Sequence, residues 1–206
     1  MAQFISFEGT EGVGKSTLIA NVAAYLTQQG IDFIQTREPG GSAFAEQLRA
    51  LLLDPATHMA EDSELLLMFA ARADHLAQVI LPALAQGQWV LCDRFTDSTM
   101  AYQGFGRKLG DRAYLAKITL LIEQFVPKLP DMTVWLDLPV VEGMARAKNR
   151  GKLDRFEQEH IAFFARVHQG FAHQAQREPE RVKRIDASGT ADEVLQKVLI
   201  EIGFRS

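Results

Sequence analysis

Short apolar runs alternate along this chain with longer stretches of helical period. Gln3–Glu8, Phe33–Arg37, Trp89–Asp93, Thr133–Leu138 and Val182–Asp186 are brief, rich in β-branched and aromatic residues, and predict strands. Ser16–Gln29, Ala43–Leu53, Glu61–Ala85, Arg112–Phe125, Val140–Asn149, Phe156–Ala175 and Ala191–Ile202 predict helices. Gly30 supplies a C-terminal stop for the first, Ser42 an N-cap for the second, and Pro82 interrupts the third near its end. The stretch from Ser98 to Gly104 reads as turn-rich. Strands alternating with helices predict an α/β fold, a five-stranded, mostly parallel sheet with helices on both faces. No repeat, low-complexity tract or Pro/Gly/Ser-rich linker divides the chain, so residues 1–206 are read as a single domain.

The first strand and first helix are joined by Gly9-Thr10-Glu11-Gly12-Val13-Gly14-Lys15-Ser16, which satisfies G-x-x-x-x-G-K-[ST]. Glycines there let successive N–H groups turn inward onto phosphate oxygens, and the helix start adds its positive end. Lys15 brings a cation to the β- and γ-phosphates, and Ser16 brings a hydroxyl to Mg²⁺. The pattern predicts a nucleoside triphosphate with Mg²⁺. It does not separate a kinase from a GTPase or a motor. No Asn-Lys-x-Asp guanine tetrapeptide occurs. The third strand ends Val90-Leu91-Cys92-Asp93-Arg94, which places an acid for Mg²⁺ beside a guanidinium suited to a second phosphate.

Composition narrows this only a little. The apolar share of 47% and charged share of 23% are those of an ordinary globular domain. The net charge of −4 argues against general nucleic-acid binding. A lone cysteine, Cys92, excludes an internal disulfide framework, and the five histidines lack metal-ligand spacing. No run of 18 apolar residues occurs and the N-terminus lacks a basic leader, so no membrane partner and a cytoplasmic location are expected.

Two further groups of residues point to a second anion. Arg37-Glu38-Pro39-Gly40-Gly41 ends the second strand, so Arg37 and Arg94 are expected to converge at the carboxyl ends of the strands. Arg146, Lys148, Arg150, Lys152 and Arg155 form a basic segment opposed only by Asp154. It predicts a lid, about residues 143–156, closing over ATP so that water cannot compete as nucleophile. Phe69 and Arg72 share one helix face, an aromatic and a donor suited to a nucleobase. The helix from Glu64 to Leu84 carries more apolar surface than one buried face requires, which predicts a homodimer packed on it.

Together these residues resemble the bacterial thymidylate kinases, over nearly the whole chain. The carriers are Phe7–Thr17, Arg37-Glu38-Pro39-Gly40-Gly41, Asp93-Arg94-Phe95, Ala101-Tyr102-Gln103-Gly104 and Leu153-Asp154-Arg155-Phe156-Glu157. The resemblance implies a P-loop nucleoside monophosphate kinase, usually a homodimer, that makes dTDP and ADP from dTMP and ATP with Mg²⁺. It implies ATP contacts from Gly9, Thr10, Glu11, Gly12, Val13, Gly14, Lys15, Ser16, Thr17, Arg146, Asp186 and Ala187. It implies dTMP contacts from Glu11 at the 3′-hydroxyl, Arg37 and Arg94 at the phosphate, Phe69 and Arg72 at thymine, Ser98 and Gln103 at the base edge, and Tyr102 at the sugar. Lys15, Arg94, Arg150 and Arg155 are the implied catalytic cations, and Ser16 and Asp93 the metal ligands. Another small-molecule P-loop kinase, a non-catalytic nucleotide switch and a dethiobiotin synthetase-like ligase remain open alternatives.

Overall fold

The structure is a computed structural model that describes residues 3–147 and 155–204. Five strands form one parallel sheet in the order β2-β3-β1-β4-β5. They are β1 (Phe4–Glu8), β2 (Phe33–Arg37), β3 (Trp89–Asp93), β4 (Met132–Asp137) and β5 (Val182–Asp186). β1, the central strand, is buried along its full length, as apolar runs in a doubly covered parallel sheet must be. Its alternation sorts the core. Ile5 and Phe7 face α1 (Lys15–Gln28) and the C-terminal helix Ala191–Glu201, whereas Phe4 faces the opposite layer. Ser6 and Glu8 share Phe4's side by the same alternation. Ser6 Oγ meets Thr133 Oγ1 of β4 at 2.7 Å, so a polar seam runs through this side of the sheet.

The opposite layer is built from α2 (Ala43–Leu53), α3 (Glu61–Ala85), α4 (Thr96–Thr99 continuing as Met100–Arg107), α5 (Arg112–Phe125) and α7 (Ile161–Arg177), with α6 (Val140–Ala147) following β4. By length and composition α3 passes as a membrane span. Here Leu65, Met68, Phe69, Ala71, Leu76 and Ile80 turn it into the core of the domain. Its Leu76–Ile80 turn is wound as a π-helix, so Pro82 falls at a fresh helix start, where its missing N–H costs nothing.

Two expectations change. The stretch after β3 is a helix with π winding, not a turn-rich loop. Its glycines mark close packing rather than turns. A Cβ on Gly104 would stand 2.6 Å from Leu115 Cδ2, and one on Gly106 would stand 2.6 Å from Phe163 Cε2. The helix expected from Phe156 starts at Ile161 instead. Phe156 is spent on a buried aromatic group, edge-on to Tyr102 at 6.0 Å, and residues 155–159 turn to place it there.

Candidate active site

Every strand points its carboxyl end at the same rim, and the reversal of strand order beside β1 opens a crevice there. β1 ends at Glu8 and runs into the glycine loop. β3 ends at Asp93, level with Phe7, and β2 ends at Arg37, level with Asp93. The cleft at this rim encloses about 260 Å³. One end is the loop, with Glu11, Gly12, Val13, Gly14, Lys15 and Ser16 on its wall. The other end is formed by α2, α3 and α4, through Arg49, Met68, Arg72, Ser98, Tyr102 and Gln103.

The loop takes the conformation that its glycines permit. Gly9, Gly12 and Gly14 all have positive φ, and Gly9 lies so close to β4 that a Cβ would be 2.8 Å from Leu136 O. Lys15 is nearly buried at the first turn of α1, and Ser16 and Thr17 stand exposed beside it. Burial, then the nearby Arg94, lowers the Lys15 pKa from its ordinary value, against the pull of Asp93, Glu11 and Glu8. Asp93 Oδ1 is buried without a hydrogen-bond partner among the described residues, and Lys15 Nζ is 3.9 Å from it.

Arg94 sits between the two ends. Its φ of 69° is left-handed, an unusual state for a side-chain-bearing residue. Several contacts hold it there. Its Nη1 donates to Gly9 O at 3.0 Å and Ser98 Oγ at 3.1 Å, and its Nη2 donates to Glu11 Oε1 at 2.6 Å. The guanidinium lies 4.9 Å over the Tyr102 ring, whose hydroxyl donates to the same Glu11 oxygen at 2.9 Å. Beneath this group lies Glu8, fully buried, which accepts from Phe95 N–H, Ser98 N–H and Ser98 Oγ. Burial, with Asp97 adding repulsion, raises its pKa to about 7. Glu8 is absent from the expected site residues, although it directly precedes the glycine loop.

Arg72 is buried with its guanidinium fixed on two sides. Nε donates to Glu38 Oε2 at 2.7 Å and Nη2 to Thr99 Oγ1 at 2.9 Å. His75 Nδ1 lies 3.1 Å from Glu38 Oε1, and His75 Nε2 lies 2.6 Å from Thr36 Oγ1. The remaining nitrogen, Nη1, has no hydrogen-bond partner among the described residues. A guanidinium clamped in this way is a preset donor on the cleft wall.

Phe69, expected to offer its face to a base, is not among the described residues that line the cleft. Phe69 packs into the core with Leu65, Leu76 and Phe95, and Met68 takes the wall position. Positions i−3 and i−4 both flank Arg72 on a helix, so spacing could not choose between them. Glu38, Arg49, Met68 and Thr99 also line the cleft without having been singled out. Glu38 had a signal, as a charge inside the Arg-Glu-Pro-Gly-Gly run at a strand end. Arg49, which donates to Pro39 O at 2.7 Å, had none.

The other expected residues divide. Ser98, Tyr102, Gln103 and Glu11 come together with Arg94 in the cleft. Arg37 lies on its rim, exposed and paired with Glu46 at 2.9 Å. Asp186 ends β5 and Ala187 follows it, across the sheet from Arg37. The Ser188 hydroxyl and N–H hold the Asp186 pKa down at about 2. Arg146 is exposed in the last turn of α6. Arg150 lies, with residues 148–154 and so half of the expected lid, outside the described residues. Arg155 is tied to α2 and α3, with Nη1 2.7 Å from Glu64 Oε2 and Nε on Leu52 O. Cys92 is buried and burial pushes its thiol pKa up, consistent with a packing role.

Known proteins are similar to this chain in sequence and in fold. The sequence model of the family described as "Thymidylate kinase" matches residues 7–198. A protein named thymidylate kinase from Psychrobacter sp. (strain PRwf-1) is 60% identical over 198 residues, 96% of this chain and 95% of the relative. One of the same name from Acinetobacter baumannii (strain SDF) is 50% identical over 198 residues, 95% of this chain and 98% of the relative. A crystal structure of thymidylate kinase from Ehrlichia chaffeensis superimposes with a TM-score of 0.79 at 33% identity, covering 98% of this chain and 99% of that one.

Proposed function

The chain belongs to the thymidylate kinase family, and from that premise we propose that its cleft transfers the γ-phosphoryl group of ATP to dTMP, giving dTDP and ADP on the way to dTTP. The observation that carries this reading is the buried Nη1 of Arg72. It is a donor without a partner, on the wall of a cleft whose far end is a phosphate loop. An unsatisfied buried donor costs about 1–3 kcal/mol, and the O4 carbonyl of thymine would satisfy it. Met68 would then cover the ring's apolar face.

ATP enters from the loop side, with its phosphates on the loop N–H groups and Lys15, and Arg146, Asp186 and Ala187 toward its base. Mg²⁺ fits this end. Asp93 offers a buried carboxylate oxygen that no donor satisfies, and Ser16 and Thr17 offer exposed hydroxyls. Ser16 and Asp93 would hold the ion, which, when bound, offsets charge on the β- and γ-phosphates. The acceptor phosphate sits with Arg94, and Arg37 reaches it by leaving Glu46. Arg94 is prefixed by Gly9, Glu11 and Ser98, so little reorganisation accompanies charge build-up on the transferring group. Glu11 takes the 3′-hydroxyl, and Tyr102 packs at C2′ of the sugar. The lid completes the site through Arg150 and Arg155. For Arg155 this requires release from Glu64.

The acceptor phosphate disfavours a dethiobiotin synthetase-like ligase, whose acceptor is a carboxylated diamine. We also place the enzyme in the cytoplasm as a homodimer. On α3, Leu66, Ala70 and Ala77 are exposed and Ala73 is half-exposed, a continuous stripe at helical spacing. Phe44 and Leu51 of α2 are also exposed and apolar. Light scattering at micromolar concentration is expected to give twice the 23.0 kDa chain mass. A monomer would refute the dimer. The central test is a coupled ADP-release assay with ATP and Mg²⁺ across dTMP, dUMP, dCMP, dGMP and AMP. Turnover should be greatest with dTMP. No dTMP-dependent ADP release, or a stronger purine substrate, would overturn the assignment.

A further inference from the structure

Gln103 lines the cleft, and its amide is not free to turn. Its Nε2 donates to Glu64 Oε1 at 2.7 Å, both side chains being buried. The other oxygen of Glu64, Oε2, lies 2.7 Å from Arg155 Nη1 and 3.6 Å from Arg107 Nη2. A carboxylate can only accept hydrogen bonds, and Arg107 stays beside this one when Arg155 is released to the lid. The amide must therefore present its NH₂ to Glu64. That leaves Oε1 for the cleft, where it takes no hydrogen bond among the described residues. Arg72 is its neighbour through Thr99. Thr99 precedes Gln103 by four residues on α4 and accepts from Arg72 Nη2.

The geometry points to Glu64 as a positioning residue that fixes which half of the Gln103 amide reads the base, and so sets selectivity for an imide. With Glu64 in place the wall shows a donor, Arg72 Nη1, beside an acceptor, Gln103 Oε1. The complement is a carbonyl next to a ring N–H, the O4/N3–H edge of thymine or uracil. Cytosine presents an amine and a bare N3 along that edge and mismatches both groups. This inference rests on the reading of the cleft as a pyrimidine nucleotide site. It concerns a residue that touches no substrate and acts only through Gln103.

Glu64→Gln tests it. A glutamine at 64 can donate as well as accept, so the Gln103 amide can turn and offer its NH₂ to a bare N3. One of the two cytosine mismatches disappears, while Arg72 still opposes the amine. The ratio of kcat/KM for dTMP over dCMP should fall roughly 5- to 150-fold, the range of one buried polar group paired or stranded. The change should lie mainly in KM, because the contact is made equally in the ground and transition states. The paired exchange Glu64→Gln with Gln103→Glu restores an acceptor toward the cleft, and should restore the thymine preference. Arg107→Gln removes an ion pair to Glu64 but leaves the Gln103 bond, and should leave the ratio unchanged. Thermal melting separates loss of fold from loss of selectivity. If Glu64→Gln does not fold, the wild-type enzyme still decides: dTMP methylated at N3 should bind at least about tenfold more weakly than dTMP. An unchanged base ratio in Glu64→Gln, a ratio that falls equally in Arg107→Gln, a paired exchange without recovery, or equal binding of the methylated nucleotide would each overturn the inference. Failure of wild-type enzyme to use dTMP at all would instead overturn the assignment it rests on.

Discussion

Gly41→Ala should damage stability and base recognition together, and a second glycine shows why. Gly41 has φ of 90°, a backbone state that costs an L-residue about 1–2 kcal/mol. Space is lacking as well. A Cβ there would lie 2.6 Å from Thr36 Oγ1 and 2.5 Å from His75 Cδ2, and would also press on His75 Nε2. These atoms belong to the chain Thr36–His75–Glu38–Arg72 that fixes the cleft donor. Wedging packed groups apart costs about 1–3 kcal/mol more. Gly87 has φ of 81° and nothing within 4 Å of a Cβ, so Gly87→Ala carries the backbone cost alone. At this chain length each kcal/mol moves Tm by about 2–4 °C. Gly41→Ala should therefore melt roughly 2–12 °C below Gly87→Ala in scanning calorimetry. Because His75 and Glu38 must shift, KM for dTMP should rise about fivefold or more in Gly41→Ala, the effect of a weakened charged hydrogen bond. Gly87→Ala should keep the wild-type KM. Equal melting of the two variants with equal KM would refute both the packing argument and the relay to Arg72.

Lys15→Ala should lower kcat at least ~10³-fold while the fold survives, since one lost stabilising donor at a developing charge costs ~10²–10³ and Lys15 also carries charge; near-normal turnover in the folded variant would contradict this. Tyr102→Ala should raise kcat/KM for the ribose form of the substrate relative to dTMP by about 5- to 150-fold, because the ring is wedged edge-on against Phe156, Phe163 and Phe171 and cannot yield to a 2′-hydroxyl. An unchanged ratio would move the sugar guard elsewhere. Glu8 should make stability fall with pH. Its folded pKa, about 7, lies above the unfolded value of 4.5, so its stabilising effect is complete below pH 4.5 and is lost as pH rises through about 7. Denaturant titrations of Glu8→Gln should lack that slope, and a slope equal to wild type would assign it to another group.

What the sequence alone determined was set by neighbours along the chain. The phosphate loop is contiguous, and its glycines, Lys15 and Ser16 are bound to a strand-turn-helix by local sterics. Strands and helices followed from periodicity, and the parallel sheet followed from their alternation. Tertiary structure decided matters of facing and partnership. Met68 rather than Phe69 reached the cleft because a helix offers two flanking positions and only packing against Phe95 and the sheet selects one. Gly104 looked like a turn former until Leu115 was placed against it. The residues that orient the expected contacts were hidden for the same reason. Glu8 meets Phe95 across 87 positions, His75 meets Thr36 across 39, and Gln103 meets Glu64 across 39. A buried acid in a sequence carries no mark of which donor will satisfy it, because that donor is brought to it only when the sheet and its covering helices close.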